Sequence, residues 1–266
     1  MTMNFFGKIK HIRFQDDLAK AKKNIKEVSI HGDVKNIESM KNLLSLRKVY
    51  LVTVSQQQFD KILPFLSNIT DLKIYEIKCT DLSSLGSLHS LEKLDLDWNT
   101  KIETLWDMSE LTSLSSLSIN DFSKLNNISN ISKMPWLTDL SLTGGMWNKL
   151  SLKTIEPLSV LKELKSLDLG NLEIKDSNSI LPLSSLIQLE KLNIPSRFPT
   201  EEIARLSVQL PNTVCDFFTP FVKVNFGDDK DTLIIGKGKP RLNSKKDSKR
   251  IKKYEAEFLD FQNKYK

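Results

Sequence analysis

The chain has 266 residues, 39% apolar and 27% charged, a balance that supports one or two packed domains and excludes a disordered chain. No run of 18 apolar residues is available to cross a membrane, nine glycines leave little for a phosphate-cradling loop, and three histidines (His11, His31, His89) leave little for a histidine-rich metal site. The net charge of +6 is unevenly divided: residues 1–26 carry +5, residues 237–253 carry +8 and residues 27–236 carry −6, so an acidic body lies between two basic ends.

Residues 1–24 are expected to cap the N-terminal edge of the central region. Phe5 and Phe6 are the only apolar pair before charges resume, so no secretory leader is read there. Cys79 and Cys215 are far apart and form no CxxC, which fits two reduced thiols in a cytosol.

From residue 25 a short pattern recurs. LEKLDL at 91–96, LSSLSI at 114–119, LTDLSL at 137–142, LKSLDL at 164–169 and LEKLNI at 189–194 share one form. IKEVSI at 25–30, LRKVYL at 46–51 and ITDLKI at 69–74 are weaker copies. The central apolar residue is Val28, Val49, Leu72, Leu94, Leu117, Leu140, Leu167 and Leu192, at spacings of 21, 23, 22, 23, 23, 27 and 25. The L-x-L pair has the period of a strand. Between copies apolar residues recur every third position, which suits tight 3₁₀-like or extended return segments and not an α-helix. One such unit cannot bury its leucines alone, whereas stacked units build one continuous core.

Residues 198–266 differ in composition. Thr200 is placed to N-cap a helix, EEIARLSVQL, that Pro211 stops. TVCDFF around Val214 reads as a last degenerate strand. FVKVNF at 221–226 and TLIIG at 232–236 read as strands around the turn GDDKD. GKGKPRLNSKKDSKR reads as an extended basic arm. Ser244 and Asp247 form a capping box for a final helix over about 245–264, whose stripe of Ile251, Tyr254, Phe258 and Phe261 is expected to dock on its own domain.

The repeated L-x-x-L-x-L units resemble the leucine-rich repeat family over residues 25–197, and their 22–23-residue period is similar to the short internalin-like subclass. The resemblance implies an α/β repeat solenoid: a horseshoe with a parallel concave sheet, about eight repeats, capped at both ends by 1–24 and 198–266. Eight strands about 4.8 Å apart span roughly 34 Å. The family's asparagine, five residues after the central leucine, occurs here only at Asn99. Its equivalents are Asp33, Val54, Ile77, Phe122, Gly145, Leu172 and Arg197. The turns after the strands are therefore expected to be less regular. Internalins are exported, so the likeness supports the architecture and not their role.

Strand alternation turns the residues between the pattern leucines outward. The outward rows run Glu27, Ser29, His31; Lys48, Tyr50, Val52; Asp71, Lys73, Tyr75; Lys93, Asp95, Asp97; Ser116, Ser118, Asn120; Asp139, Ser141, Thr143; Ser166, Asp168; Lys191, Asn193. Tyr50, Tyr75 and Trp98 are expected to form an aromatic track, with Asp95, Asp97, Asp121, Asp139 and Asp168 as an acidic zone beside it. Aromatic anchors supply binding hot spots, and clustered carboxylates steer a basic partner. The longest interval holds TGGMWNKL at 143–150, where Trp147 is either a loop-tip anchor or a plug. Trp106 and Trp136 fall one position off the leucine register and are expected on the convex side or at repeat edges.

No GxSxG, GxxxxGK[ST], HExxH or CxxC is present. Cys79 reads as a small half-buried residue. No catalytic residue, metal or cofactor is expected. The expected function is a non-catalytic protein-binding module, monomeric when free and cytoplasmic, acting as an immunity or antitoxin protein against a basic toxin. Lys-, Asn- and Ile-rich usage points to a bacterial source. The alternative is a nucleic-acid-associated protein using Lys237, Lys239, Arg241, Lys245 and Lys246.

Overall fold

The computed structural model describes residues 14–176, 179–225 and 227–266. The expected strands form at the expected centres. β1 (Glu27–His31), β2 (Lys48–Val54), β3 (Asp71–Ile77), β4 (Lys93–Asn99), β5 (Ser116–Phe122) and β6 (Asp139–Thr143) are followed by β8 (Ser166–Asp168) and β10 (Lys191–Asn193). These eight pair in parallel, in chain order, as one sheet. The register is set by the repeat: Val28, Val49, Leu72, Leu94, Leu117, Leu140, Leu167 and Leu192 stand side by side. A one-residue slip would turn each strand's leucines to water, so the pattern pins the pairing. A small parallel pair, β7 (Leu150–Leu152) and β9 (Leu172–Ile174), lies beyond β6 and β8.

The return segments are mostly 3₁₀ turns, such as Ser83–Ser87, Ser129–Lys133, Glu156–Val160 and Leu181–Ser185. Their period-three leucines all point into one core that runs from Leu18 to Phe258. After β2 the chain instead forms an α-helix, α1 (Gln56–Ile62). Ser55 and Gln58 make a reciprocal capping box there, which satisfies the first-turn amides.

Trp106, in the return segment between β4 and β5, is 7% exposed and sits in the core, and Trp136, before β6, is half-buried against that core. Two internal expectations change. Cys79 is fully buried beneath Asn99, not half-buried. Five of the eight turns after the strands share one backbone form despite the missing asparagines, whereas those after β1, β6 and β10 depart from it. Thr53, Glu76, Trp98, Asp121 and Asn171, each four residues after its central apolar residue, all take left-handed backbone with φ between 52° and 61°. One position later Val54, Ile77, Phe122 and Leu172 are buried, so apolar packing closes the turns that asparagine would otherwise close. Asn99 does both. Its Nδ2 donates to the Ile77 and Cys79 carbonyls, and its Oδ1 accepts from the Lys101 and Ile102 amides.

The N-terminal cap expected over 1–24 lies outside the described residues up to 13. Of the remainder, Phe14 bridges Ser29 and stacks on His31 at 4.3 Å. Ser29, expected on the open face, is buried there.

At the other end, α2 (Thr200–Gln209) begins at Thr200, which is inside the helix and not its cap. The Thr200 hydroxyl donates to the Ile235 carbonyl. TVCDFF adds a single bridge, Val214 to Lys191, in place of a strand. β11 (Phe221–Lys223), β12 (Thr232–Ile234) and β13 (Arg241–Leu242) form an antiparallel sheet. Phe226, at the end of the expected FVKVNF strand, lies outside the described residues.

The basic arm is folded, not extended. Leu242 is buried, Lys239 pairs with Glu257 at 2.8 Å, Arg241 with Asp228 at 3.2 Å and Lys246 with Asp229 at 2.9 Å. Two of these carboxylates, Asp228 and Asp229, come from the turn between β11 and β12, and Glu257 comes from the last helix. The expected capping box is absent as well: Ser244 donates to Asp231, and the Asp247 carboxylate accepts from the Asn243 amide. The last helix, α3 (Ser248–Lys264), therefore starts at Ser248. Its stripe docks on its own chain as expected. Phe258 is buried in the main core with Phe261 against it, while Ile251 and Tyr254 pack with Ile234 and Leu242.

Candidate functional site: the open face of the sheet

Because β-strand residues alternate, each of the longer strands presents three ranks outward. The middle rank aligns Tyr50, Lys73, Asp95, Ser118, Ser141, Asp168 and Asn193. The rank toward the strand ends aligns Val52, Tyr75, Asp97, Asn120 and Thr143. Beyond it runs the left-handed row Thr53, Glu76, Trp98 and Asp121.

The expected aromatic track is divided by this register. Tyr75 and Trp98 meet, with ring centroids 6.1 Å apart at 45°. Trp98 remains 42% exposed. Tyr50 stands one rank back, in line with Lys73 and Asp95, with the Lys48 ammonium 5.1 Å over its ring.

The acidic zone divides in the same way. Asp95 pairs with Lys73 at 2.5 Å. Asp97, half-buried, accepts from Asn120 at 3.0 Å, and Asn120 in turn accepts from the Thr143 hydroxyl at 2.8 Å. This chain of bonds crosses three strands and fixes the rank. Burial pushes the Asp97 carboxyl up from its ordinary value, and the neighbouring Asp121 charge adds to it. Burial also pushes the Tyr75 hydroxyl up, with Asp97, Glu76 and Asp121 contributing. Glu76 goes the other way, held down by the Thr53 hydroxyl and then by Lys78 at 3.0 Å. Tyr75, Glu76, Asp97, Trp98 and Asp121 therefore share one electrostatic environment. Asp139 lies in the rank nearest the strand starts, bonded by Thr138, and Asp168 is held by the Gly170 amide and Asn193. Those two are on the same face but outside the cluster.

Trp147 is 89% exposed and Met146 74% exposed, so Trp147 is at a loop tip and plugs nothing. The base of that loop rests on Asp121: any side chain at Gly145 would overlap the Asp121 carboxylate. Sequence reading found Asp121 and Trp147 but not their junction, because the left-handed row has no residue type in common that would mark it.

Of the arm residues, Lys239, Arg241 and Lys246 are paired with carboxylates, and Lys237 and Lys245 are exposed. Among the described residues no group of three or more His, Cys, Asp or Glu side chains could hold a metal ion, and no helix is long and apolar enough to cross a membrane. An open hollow of about 330 Å³ beside β10 is lined by Asp168, Lys191, Asn193, Val214 and Cys215. Burial raises the Cys215 thiol away from a reactive thiolate.

No protein-family model matches the sequence, and no curated protein sequence matches it. Solved structures do. The complex of TLR13 with ssRNA13 aligns at TM-score 0.55 and 26% identity, over 73% of this chain and 29% of that chain. Internalin InlF of Listeria monocytogenes aligns at TM-score 0.46 and 20% identity, over 71% and 64%. The leucine-rich repeat domain of the type III effector XopL aligns at 0.45 and 19%, over 71% and 75%. The chain thus spans less than two thirds of the first two. Its fold is the α/β leucine-rich repeat solenoid.

Proposed function

We propose that the chain is a non-catalytic protein-binding module whose partner docks on the open face of the eight-stranded sheet. The observation that carries this is the Tyr75–Trp98 pair, a half-buried tyrosine beside an exposed tryptophan, set among Glu76, Asp97 and Asp121 on a fixed parallel scaffold. The strands align side chains over an area that accommodates a standard interface of about 800 Å² per partner. Aromatic residues at the centre of such a surface carry most of the binding energy. Surplus carboxylates favour a basic partner. A cytoplasmic immunity or antitoxin protein that masks a basic toxin matches that chemistry, as a bacterial relative of the short internalin-like repeats.

The test is capture of partners from nuclease-treated native cells, read by mass spectrometry, with wild type beside Tyr75→Ala/Trp98→Ala. One stoichiometric protein that the double variant loses at least tenfold supports the reading. A partner retained equally by both overturns it.

The alternative, nucleic-acid binding by the arm, is weakened because three of its five named cations face carboxylates. Reversing Lys245, Lys249 and Lys252 to Glu tests it without exposing Phe258, as truncation of α3 would.

A further inference from the structure

We infer that the 143–150 loop is a built anchor, and that Trp147, together with Tyr75, Trp98, Asp97 and Asp121, takes an arginine side chain presented by a protein partner. This inference rests on the sheet-face reading and sharpens it.

The loop has a clamped base and a bare tip. The Gly144 amide donates to the Gly170 carbonyl at 3.0 Å, and the Leu150 amide to the Asn171 carbonyl at 3.1 Å. Asn171 reaches across the loop, donating to the carbonyls of Gly145 at 2.9 Å and Asn148 at 3.1 Å. Gly144 is in contact with the Asn148 carbonyl and the Leu150 amide so closely that a side chain has no room. After Leu150 the chain is fixed again by β7 pairing with β9. Between these fixed points Met146 and Trp147 project into water. A loop held this firmly loses little entropy when its tip is bound, which is the condition for an anchor.

The base of the loop also rests on one of the carboxylates. Gly145 lies against Asp121, whose Oδ1 is buried with no hydrogen-bond partner, and Asp121 neighbours Trp98 across the β4–β5 pair. The nearby cations are already committed, Lys73 to Asp95 and Lys78 to Glu76. Asp97 accepts from Asn120 and feels the Lys73 charge, and the Asp121 Oδ1 has an open lone pair. Two carboxylates beside an open aromatic pair fit a guanidinium best. Its plane stacks on aromatic faces, and its fork of donors matches a carboxylate. An ammonium offers neither the plane nor the fork.

The four tryptophans provide the experiment. In the ¹⁵N-labelled full chain, each indole N–H gives its own signal, and Trp106 and Trp136, whose indole nitrogens are buried, are internal controls. The probes are two synthetic peptides, Ac-Gly-Arg-Gly-Arg-Gly-NH₂ and its Glu counterpart. The expected result is that the arginine peptide shifts the Trp98 and Trp147 indoles saturably, that the glutamate peptide shifts neither, and that Trp147→Ala weakens the arginine peptide about three- to tenfold, the scale of one cation–aromatic contact. A Trp98 shift with an affinity unchanged by Trp147→Ala overturns the anchor while leaving the sheet-face reading intact. Silence of both indoles overturns the arginine site, and the sheet-face reading then stands or falls by partner capture alone. Shifts of both indoles on simple dilution, without peptide, overturn it in favour of a second copy of this chain.

Discussion

Asn99→Ile should cost about 3 kcal/mol of folding stability. The substitution puts into this one turn the kind of residue its neighbours use, since Val54, Ile77 and Phe122 occupy the same register position. The Asn99 amide group makes four hydrogen bonds of 2.7 to 2.9 Å, two donated to carbonyls of the preceding turn and two accepted from its own. Each is worth about 1 kcal/mol net, so their sum is about 4 kcal/mol. The added apolar surface of isoleucine returns about 1 kcal/mol. Urea unfolding followed by far-UV circular dichroism measures the difference. Hydrogen exchange locates it: the amides of Lys101 and Ile102 should lose protection before those of β4. A cost below about 1 kcal/mol would show that apolar packing closes this turn as it does the others, and would refute the role given to Asn99.

Three further outcomes are expected from the perturbed groups. Burial pushes the Cys79 thiol up to about 12, so less than about one part in a thousand is thiolate at pH 8, and iodoacetamide should label Cys79 only after denaturation; labelling at native rates would contradict the burial. Asp231, held well below the usual carboxylate range by the Ser244 hydroxyl and amide, gives the β12–α3 junction a stability that is complete above the ordinary carboxylate value and is lost as pH falls from there through its own lowered value; limited proteolysis at 235–247 should quicken below about pH 4, and Asp231→Asn should flatten that dependence. Asp97 is raised, so its folded state prefers the protonated form and stability falls as pH climbs through its titration; Asp97→Asn should raise the melting temperature at pH 7, and the same variant should weaken the arginine peptide.

The strand centres and their register were legible because a two-residue alternation inside a 22–23-residue period leaves only one way to stack the leucines. The turns were not. Thr53, Glu76, Trp98, Asp121 and Asn171 share a left-handed backbone but no side-chain chemistry, and the burial of the following residue, apolar except at Asn99, accompanies it. The face was legible rank by rank, yet the track drawn through Tyr50, Tyr75 and Trp98 ignored that Tyr50 sits two residues earlier along its strand than Tyr75. Adjacent strands in register bring Tyr75 and Trp98 together and leave Tyr50 beside Lys73. Asp121 looked like one more surface carboxylate, because its contact with Gly145 depends on an inserted loop folding back 24 residues later.

The basic arm shows why a charge run in a sequence is not a surface potential. Its cations were counted without the GDDKD turn, which lies earlier in the chain and so fell in the acidic body. Folding brings the two together: Asp228 and Asp229 reach Arg241 and Lys246, and Asp231 bonds Ser244. The turn carries a net charge of −2, so it lowers the +8 of the arm to +6 and ties down Arg241 and Lys246 within one small sheet. At the sheet face the reverse holds. Lys73 and Lys78 are consumed by Asp95 and Glu76, while Asp97 and Asp121 keep their charge demand beside Trp98. Pairing therefore commits part of the arm's charge and leaves the rim's carboxylates in place. The rim is where a charged partner gains most, because half-buried carboxylates there are already partly stripped of water and are screened less by salt than the arm's exposed lysines.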